Sequence, residues 1–126
     1  MVALQSLVSR NVNPLDSAVV TVGSFKAGAK HNIIPDEAEL LITVRSYEDK
    51  TRQLLLDGIK RIAEGQAAAF GAPPPEITIE SDYTPATYND PGLTERAMKA
   101  VAAELGESNV RPVPPVMGGE DFSQYA

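Results

Sequence analysis

The segment from Gly28 to Arg45, GAKHNIIPDEAELLITVR, constrains the fold of this chain more than any other. It opens with a polar connection that contains Pro35, and apolar and polar residues then alternate from Glu39 to Tyr47. Alternation with a period of two is the pattern of a β-strand with one buried face. The buried face would carry Leu40, Ile42 and Val44, and the opposite face Leu41, Thr43 and Arg45. The segment therefore predicts a turn and a half-buried strand that presents Arg45 away from the core.

The surrounding segments supply further helices and strands. The predicted elements are the end of a helix at Leu4, Leu7 and Val8, a strand from Ala18 to Phe25, a helix from Lys50 to Phe70 ended by Gly71, and a strand from Glu76 to Glu80. In the first strand, Ala18, Val20 and Val22 would face opposite to Val19, Thr21 and Phe25. The order helix, strand, strand, helix, strand predicts an α+β, ferredoxin-like βαββαβ domain that lacks its first strand. Gly58 and Gly65 inside the long helix each cost about 1 kcal/mol relative to alanine, so tertiary packing must hold that helix.

From Tyr83 onward the sequence changes to turns and a single helix. Asn89 or Asp90 would cap this helix, Pro91 would open it and Gly106 would end it. Its apolar stripe consists of Leu93, Ala97, Val101 and Leu105. One helix followed by RPVPPVMGGEDFSQYA cannot bury that stripe by itself, so its partner is either the first domain or a segment absent from this chain.

The glycine pair in MGGEDF allows two interpretations. Gly118 and Gly119 could let the backbone approach a ligand or take a positive φ, in which case the loop would contact a substrate. Alternatively, the segment is a glycine turn in which Asp121 caps a short helix. Glu120 and Asp121 have no neighbouring histidine in the sequence, which makes them a poor site for a transition metal.

Charge and cysteine content exclude several functional classes. The 126 residues fit one domain, or a small domain with a piece of another, and 43% of them are apolar, which suffices for a packed core. A net charge of −6 without clusters of Lys and Arg argues against binding to nucleic acid or to anionic membranes. No apolar run is long enough to span a bilayer and the N-terminus lacks signal-peptide features, so we expect a soluble, cytoplasmic protein. The lack of cysteine excludes disulfides, thiolate nucleophiles and cysteine-bound zinc.

Asn32 and Arg45 are the residues that most suggest a binding site. A guanidinium group can bond both oxygens of a carboxylate and an amide adds a further donor, so the two side chains could converge on one carboxylate. An arginine on a half-exposed strand is also commonly a solvated surface residue. Local features alone leave both interpretations open.

Four motifs together resemble one enzyme family. HNIIPDEAELLITVRS, RIAEGQAAAFGA, YNDPGLTE and MGGEDF occur in this order along the chain. They resemble the zinc amidohydrolases and metallopeptidases that include aminoacylases, acetylornithine deacetylases and glutamate carboxypeptidases, and above all the hippurate hydrolase branch. The resemblance implies an α/β catalytic domain with two metal ions, interrupted by a smaller α+β lid that forms a homodimer. Residues 1–81 would be most of the lid, and residues 82–126 a piece of the catalytic domain.

The resemblance also implies roles for individual residues. Asn32 and Arg45 match positions that bind the carboxylate or carbonyl region of the substrate, often in the neighbouring subunit's site. His31, the only histidine, would be a surface turn residue or a substrate contact, and Gly118, Gly119 and Glu120 are weaker candidates. The implied reaction is hydrolysis of a hippurate-like N-acyl amino acid or a small peptide by a metal-activated water.

No residue of this chain matches the metal ligands or the general base of that family. The two divalent ions, zinc or manganese, would be held by segments outside the chain, with none bound by the chain itself. We therefore expect a truncated or proteolytic piece of an amidohydrolase that is inactive alone. Two alternatives are a free-standing, non-catalytic α+β module for dimerisation or small-molecule binding, and a degenerate pseudoenzyme.

Overall fold

Two compact units make up the computed structural model, which describes residues 1–125. The first unit runs from Met1 to Glu80 and the second begins at Ser81. The first contains strands β1 (Ala18–Ala27) and β2 (Ala38–Ser46) and helix α1 (Asp49–Ala69), and the second contains helix α2 (Pro91–Leu105). Short helical segments lie at Val2–Leu4, Leu7–Asn11, Glu107–Asn109 and Asp121–Tyr125. The predicted α+β character, the first two strands and the two long helices are confirmed, with ends that differ by no more than two residues.

The two strands form an antiparallel hairpin with an irregularity at Gly23. Val20 pairs with Val44 and Val22 with Ile42, but the next pair is Ser24 with Leu41, so Gly23 is the extra residue of a β-bulge. The extra residue reverses the alternation that follows it. Phe25 consequently lies opposite Leu40 on the apolar face. The prediction that Phe25 shares a face with Val19 and Thr21 is wrong for this reason.

Alternation along β2 agrees with the sequence prediction. Leu40, Ile42 and Val44 are half-buried, whereas Leu41, Thr43 and Arg45 are exposed. The apolar face packs against α1 and the N-terminal helical segments. The buried core consists of Leu4, Leu7, Val12, Val20 and Leu55. This core holds α1 against one side of the hairpin and leaves the other side to solvent.

A close approach between helical segments explains one of the two glycines inside α1. Gly58 is buried, and a Cβ atom added there would overlap the side chain of Leu7, which is fully buried. Gly65 is exposed, and an added Cβ would meet nothing within 4 Å. Gly58 has no side chain, so the segment Leu7–Asn11 can pack closely against α1. This contact is the tertiary packing that the sequence predicts for a helix with internal glycines.

The predicted third strand, from Glu76 to Glu80, is wrong. The sheet of the described residues has two strands only, and residues 76–80 form no ladder. Alternation alone does not make a strand, because its backbone groups must pair with a neighbour. In a βαββαβ sheet the last strand pairs with the first, and residues 1–17 form no strand. The ferredoxin-like topology is therefore not formed by this chain.

In the second unit, α2 begins and ends where the sequence indicates. Asp90 is the cap: its carboxylate accepts a hydrogen bond from the Leu93 N–H at 2.7 Å, and Pro91 is the first helical residue. Gly106 ends the helix with φ of 89°. No residue of α2 is buried, so its apolar stripe is exposed. Among residues 1–125, no helix is both long and apolar enough to cross a membrane.

Candidate functional site

The connection between β1 and β2 carries Asn32 and His31. Gly28 opens it with φ of 68°, a left-handed conformation that suits glycine, and the Pro35 ring lies 3.6 Å from where a Cβ of Gly28 would be. A turn follows, in which the Ile33 N–H donates to the Lys30 carbonyl at 3.3 Å. His31 and Asn32 are the two central residues of this turn, and both are exposed. Their polar groups are therefore available to a ligand.

Arg45 lies at the other end of the hairpin. It is the penultimate residue of β2, opposite Val19 on β1, and its side chain is on the exposed face of the sheet. Position along the strand sets this orientation, because Arg45 follows Leu41 and Thr43 with the period of two. The guanidinium is therefore presented on the face opposite α1, as the alternation predicts.

Within one chain the structure does not bring Asn32 and Arg45 together. Arg45 is seven positions after Ala38, where β2 begins. At about 3.3 Å a residue this is about 23 Å of strand. Asn32 lies beyond Ala38, in a connection whose residues are all exposed. A single carboxylate therefore cannot contact both side chains of one chain.

The MGGEDF segment lies in the second unit, and its backbone differs from the expectation at both glycines. Positive φ among glycines of residues 1–125 occurs at Gly28, Gly71 and Gly106 only, so the expectation of positive φ at Gly118 and Gly119 is wrong. Both are exposed, and a Cβ added at either would meet nothing within 4 Å. The free space on that side leaves a close backbone approach by a ligand sterically possible.

Glu120 has a local structural role. Its carboxylate accepts a hydrogen bond from the Phe122 N–H at 3.0 Å, and its carbonyl accepts one from the Ser123 N–H at 3.2 Å. The short helix Asp121–Tyr125 thus begins one residue earlier than expected, and Glu120 rather than Asp121 caps it. This hydrogen bond engages one of the two Glu120 carboxylate oxygens that a substrate could otherwise contact.

Two features were not anticipated from the sequence. The Thr87 and Ser123 hydroxyl groups are buried and have no hydrogen-bond partner among the described residues. An open cavity of about 160 Å³ lies at the start of α1. The missing cap there is visible in the sequence, since glutamate precedes Asp49 where a Ser, Thr, Asp or Asn would be usual. No sequence signal marks the buried hydroxyls, because their burial depends on tertiary packing.

The family comparison matches nearly the whole chain. The model of peptidase family M20/M25/M40 aligns with residues 7–126. The chain is 40% identical over 122 residues to the N-acetylcysteine deacetylase of Bacillus subtilis, covering 97% of the chain and 31% of that enzyme. It is 40% identical over 127 residues to the hippurate hydrolase of Campylobacter jejuni, covering 99% of the chain and 32% of that enzyme.

A solved structure gives the same result for the fold. A protein of methicillin-resistant Staphylococcus aureus, described as an aminohydrolase, superimposes with a TM-score of 0.76 at 35% sequence identity. The match covers 98% of the chain and 31% of that protein. The chain therefore spans about a third of the length of the relatives it matches.

Proposed function

This chain belongs to peptidase family M20/M25/M40, and on that premise we propose that it is part of a hydrolase that cleaves the amide bond of an N-acyl amino acid or small peptide. The observation that carries the proposal is the alignment of 97–99% of the chain with a deacetylase and a hippurate hydrolase. The family match extends across both compact units. It therefore favours the hydrolase over a free-standing binding module made of the first unit.

Peptidases of this family are generally dinuclear metal enzymes. Among residues 1–125, no three His, Cys, Asp or Glu side chains lie close enough to hold a metal ion, and the donor set has a single histidine and no cysteine. The residues present do not fit such a centre. We propose that two divalent ions, zinc or manganese, are held elsewhere in the whole protein, and no catalytic step is assigned to this chain.

The proposed contribution of the chain is substrate binding and dimerisation. Residues 1–81 would belong to a lid with the ferredoxin-like topology completed in the whole protein, and residues 82–126 to the catalytic domain. Arg45 would bind the substrate carboxylate, because a guanidinium on an exposed strand face can bond both carboxylate oxygens. Gly118, Gly119 and Glu120 would line the amino-acid side of the cleft, with Glu120 the weakest of them because its carboxylate already caps a helix.

A homodimer through the lid accounts for the separation of Asn32 from Arg45. Since about 23 Å of strand lies between Ala38 and Arg45, one substrate would contact Arg45 of one subunit and the exposed Asn32 turn of the other. His31 adjoins Asn32 in that turn and would approach the same substrate. A cytoplasmic location stays a prediction.

Kinetics of the complete protein test the role of Arg45. We expect Arg45→Ala to lower kcat/KM for an N-acyl amino acid by about 30-fold, the factor for about 2 kcal/mol of a lost charge-assisted hydrogen bond. The same variant should leave hydrolysis of the corresponding amino-acid amide, which lacks the carboxylate, nearly unchanged. Arg61→Ala, on the exposed face of α1, removes the same charge elsewhere and is the matched control.

Two results would count against these assignments. Equal losses on both substrates would show that Arg45 acts on stability or on the metal centre rather than on the carboxylate. A complete protein with bound metal that hydrolyses neither class would favour the pseudoenzyme.

A further inference from the structure

The side of the hairpin opposite α1 presents polar and apolar side chains in a fixed order. Leu41, Thr43 and Arg45 are exposed on this side, and residues directly opposite each other in an antiparallel pair share one face of the sheet. Their partners on β1 follow from the register. In order from the end where β1 begins, the outer face consists of the pairs Val19–Arg45, Thr21–Thr43 and Ser24–Leu41. A guanidinium, two threonine hydroxyls and a leucine therefore follow one another along it.

The charges of the two strands favour an anion at the Arg45 end of the outer face. The cross-strand partner of Arg45 is Val19, and the next residue along the face is Thr43, so neither neighbour is charged. Glu39 is the only acidic residue in β1 and β2. It lies six positions from Arg45, about 20 Å along the strand, and its carboxylate accepts a hydrogen bond from the Lys26 Nζ at 2.8 Å. Neither strand therefore places a negative charge beside Arg45.

Thr21 and Thr43 form the middle of the outer face. Both are exposed, and the Cβ atoms of directly opposite residues are about 4.5–5.5 Å apart. Thr43 is two positions from Arg45, about 7 Å along the strand. A threonine hydroxyl both donates and accepts hydrogen bonds, so the pair can serve the carbonyl and the N–H of one amide. The arginine side chain is long enough to reach a carboxylate attached next to an amide bound there.

Leu41 supplies the apolar end of the outer face. Its side chain is 53% exposed, and it lies four positions from Arg45, about 13 Å along the strand. The bulge residue Gly23 precedes the cross-strand partner of Leu41 and has no side chain. A Cβ added at Gly23 would meet no atom nearer than the Leu41 carbonyl oxygen at 4.0 Å. The surface beside Leu41 is therefore open to an apolar group.

We propose that the outer face binds the substrate along its length and that Leu41 selects the acyl group. The carboxylate would bind Arg45, the amide would bind Thr21 and Thr43, and the acyl group would contact Leu41. The inference rests on the proposed hydrolase, because it takes Arg45 as the carboxylate ligand. An acetyl group adds one carbon atom beyond the amide carbonyl and would end beside the threonines. A hexanoyl group adds five and would reach Leu41, so the outer face favours long apolar acyl groups over acetyl.

Hydrolysis by the complete protein tests the role of Leu41. Leu41→Ala should lower kcat/KM for an N-hexanoyl amino acid about tenfold and change that for the N-acetyl compound less than about twofold. Leu41→Met keeps an apolar side chain of similar size and should retain activity on the hexanoyl compound. Leu54→Ala makes the same truncation at an exposed position of α1, away from the outer face, and should alter neither value. Equal losses on both substrates for Leu41→Ala, or no loss on either, would overturn the proposal.

Thr43→Val tests the contact with the amide, which both substrates share. The substitution keeps the branched shape and removes the hydroxyl. It should lower kcat/KM for the hexanoyl and acetyl compounds alike, by about fivefold, the factor for one hydrogen bond. Unchanged values for both substrates would remove Thr43 from the proposed site.

Two-dimensional NMR of the 126-residue chain measures binding without catalysis. N-hexanoylglycine should give saturable shifts of the Thr21, Leu41 and Thr43 amides. N-acetylglycine should bind at least about fivefold more weakly, because it has four fewer methylene groups. N-hexanoylglycinamide lacks the carboxylate and should also bind more weakly than N-hexanoylglycine.

The two measurements together separate this inference from the proposed hydrolase. Saturable binding of N-hexanoylglycine at these amides, with no hydrolysis of it by the complete protein, would refute the hydrolase and support the outer face as a binding site. Hydrolysis by the complete protein without saturable shifts at these amides would refute the role of the outer face and leave the hydrolase standing.

Discussion

Substitution of the two glycines in α1 by alanine should change stability in opposite directions. An alanine in a helix is favoured over glycine by about 1 kcal/mol, and this gain is the same at both positions. At Gly65 nothing opposes it, because an added Cβ meets no atom within 4 Å. Gly65→Ala should therefore raise the free energy of unfolding of the first unit by about 0.5–1 kcal/mol.

At Gly58 the added methyl group would overlap the Leu7 side chain. Leu7 and Leu55 are fully buried, so Leu7 cannot turn away without displacing its neighbours. Overpacking of a close-packed core costs about 1–3 kcal/mol, which exceeds the gain in helix propensity. Gly58→Ala should therefore destabilise the first unit by about 1 kcal/mol, which puts it about 2 kcal/mol below Gly65→Ala.

Native-state hydrogen exchange is the appropriate assay, because amides of β1, β2 and α1 report on the first unit without a contribution from α2. A double-mutant cycle identifies the cause. Leu7→Ala alone should cost about 2–5 kcal/mol, and combining it with Gly58→Ala should cost less than the sum of the two because the overlap is gone. The overlap with Leu7 is contradicted if Gly58→Ala stabilises the unit as much as Gly65→Ala does, or if the effects of Leu7→Ala and Gly58→Ala on the free energy of unfolding are additive.

Two further predictions concern the cap of α2 and the state of association. Asp90→Ala removes the acceptor of the 2.7 Å bond from the Leu93 N–H and should destabilise α2 by about 1 kcal/mol, seen as faster amide exchange in its first turn, whereas Asn89→Ala should have little effect. Both outer edges of the two-stranded sheet lack a partner strand among the described residues, so the 13.4 kDa chain should associate into dimers on concentration. Light scattering that shows a monomer at high concentration would contradict this.

Features encoded by neighbouring residues could be predicted from the sequence. The period of two places β2, the helical spacing places α1, and Asp90 with Pro91 places the start of α2, because each signal acts over a single turn or strand. The bulge at Gly23 was missed although a glycine within a strand is a signal for one.

Features that depend on distant residues could not be predicted in the same way. The segment 76–80 alternates like a strand, but it lacks a neighbour, which no local pattern reveals. The cavity at the start of α1 joins residues near Asp16 with residues near Glu48, which only the hairpin brings together. The orientation of Arg45 could be predicted from its position on β2. Which other residue would contact the same ligand depends on how two subunits associate, and no local pattern shows this.

Hairpin geometry limits how two subunits can complete the proposed site. Asn32 lies at the turn end of the hairpin and Arg45 at the open end, so one chain offers each residue at a different end. A two-fold axis perpendicular to the strands makes neighbouring edges antiparallel, which places the turn end of one copy beside the open end of the other. Two such sites arise in a dimer, each with Asn32 of one subunit and Arg45 of its partner. Mixing Asn32→Ala and Arg45→Ala variants of the complete protein should then restore one intact site per heterodimer, and activity of the mixture no greater than that of the separate variants would contradict this arrangement.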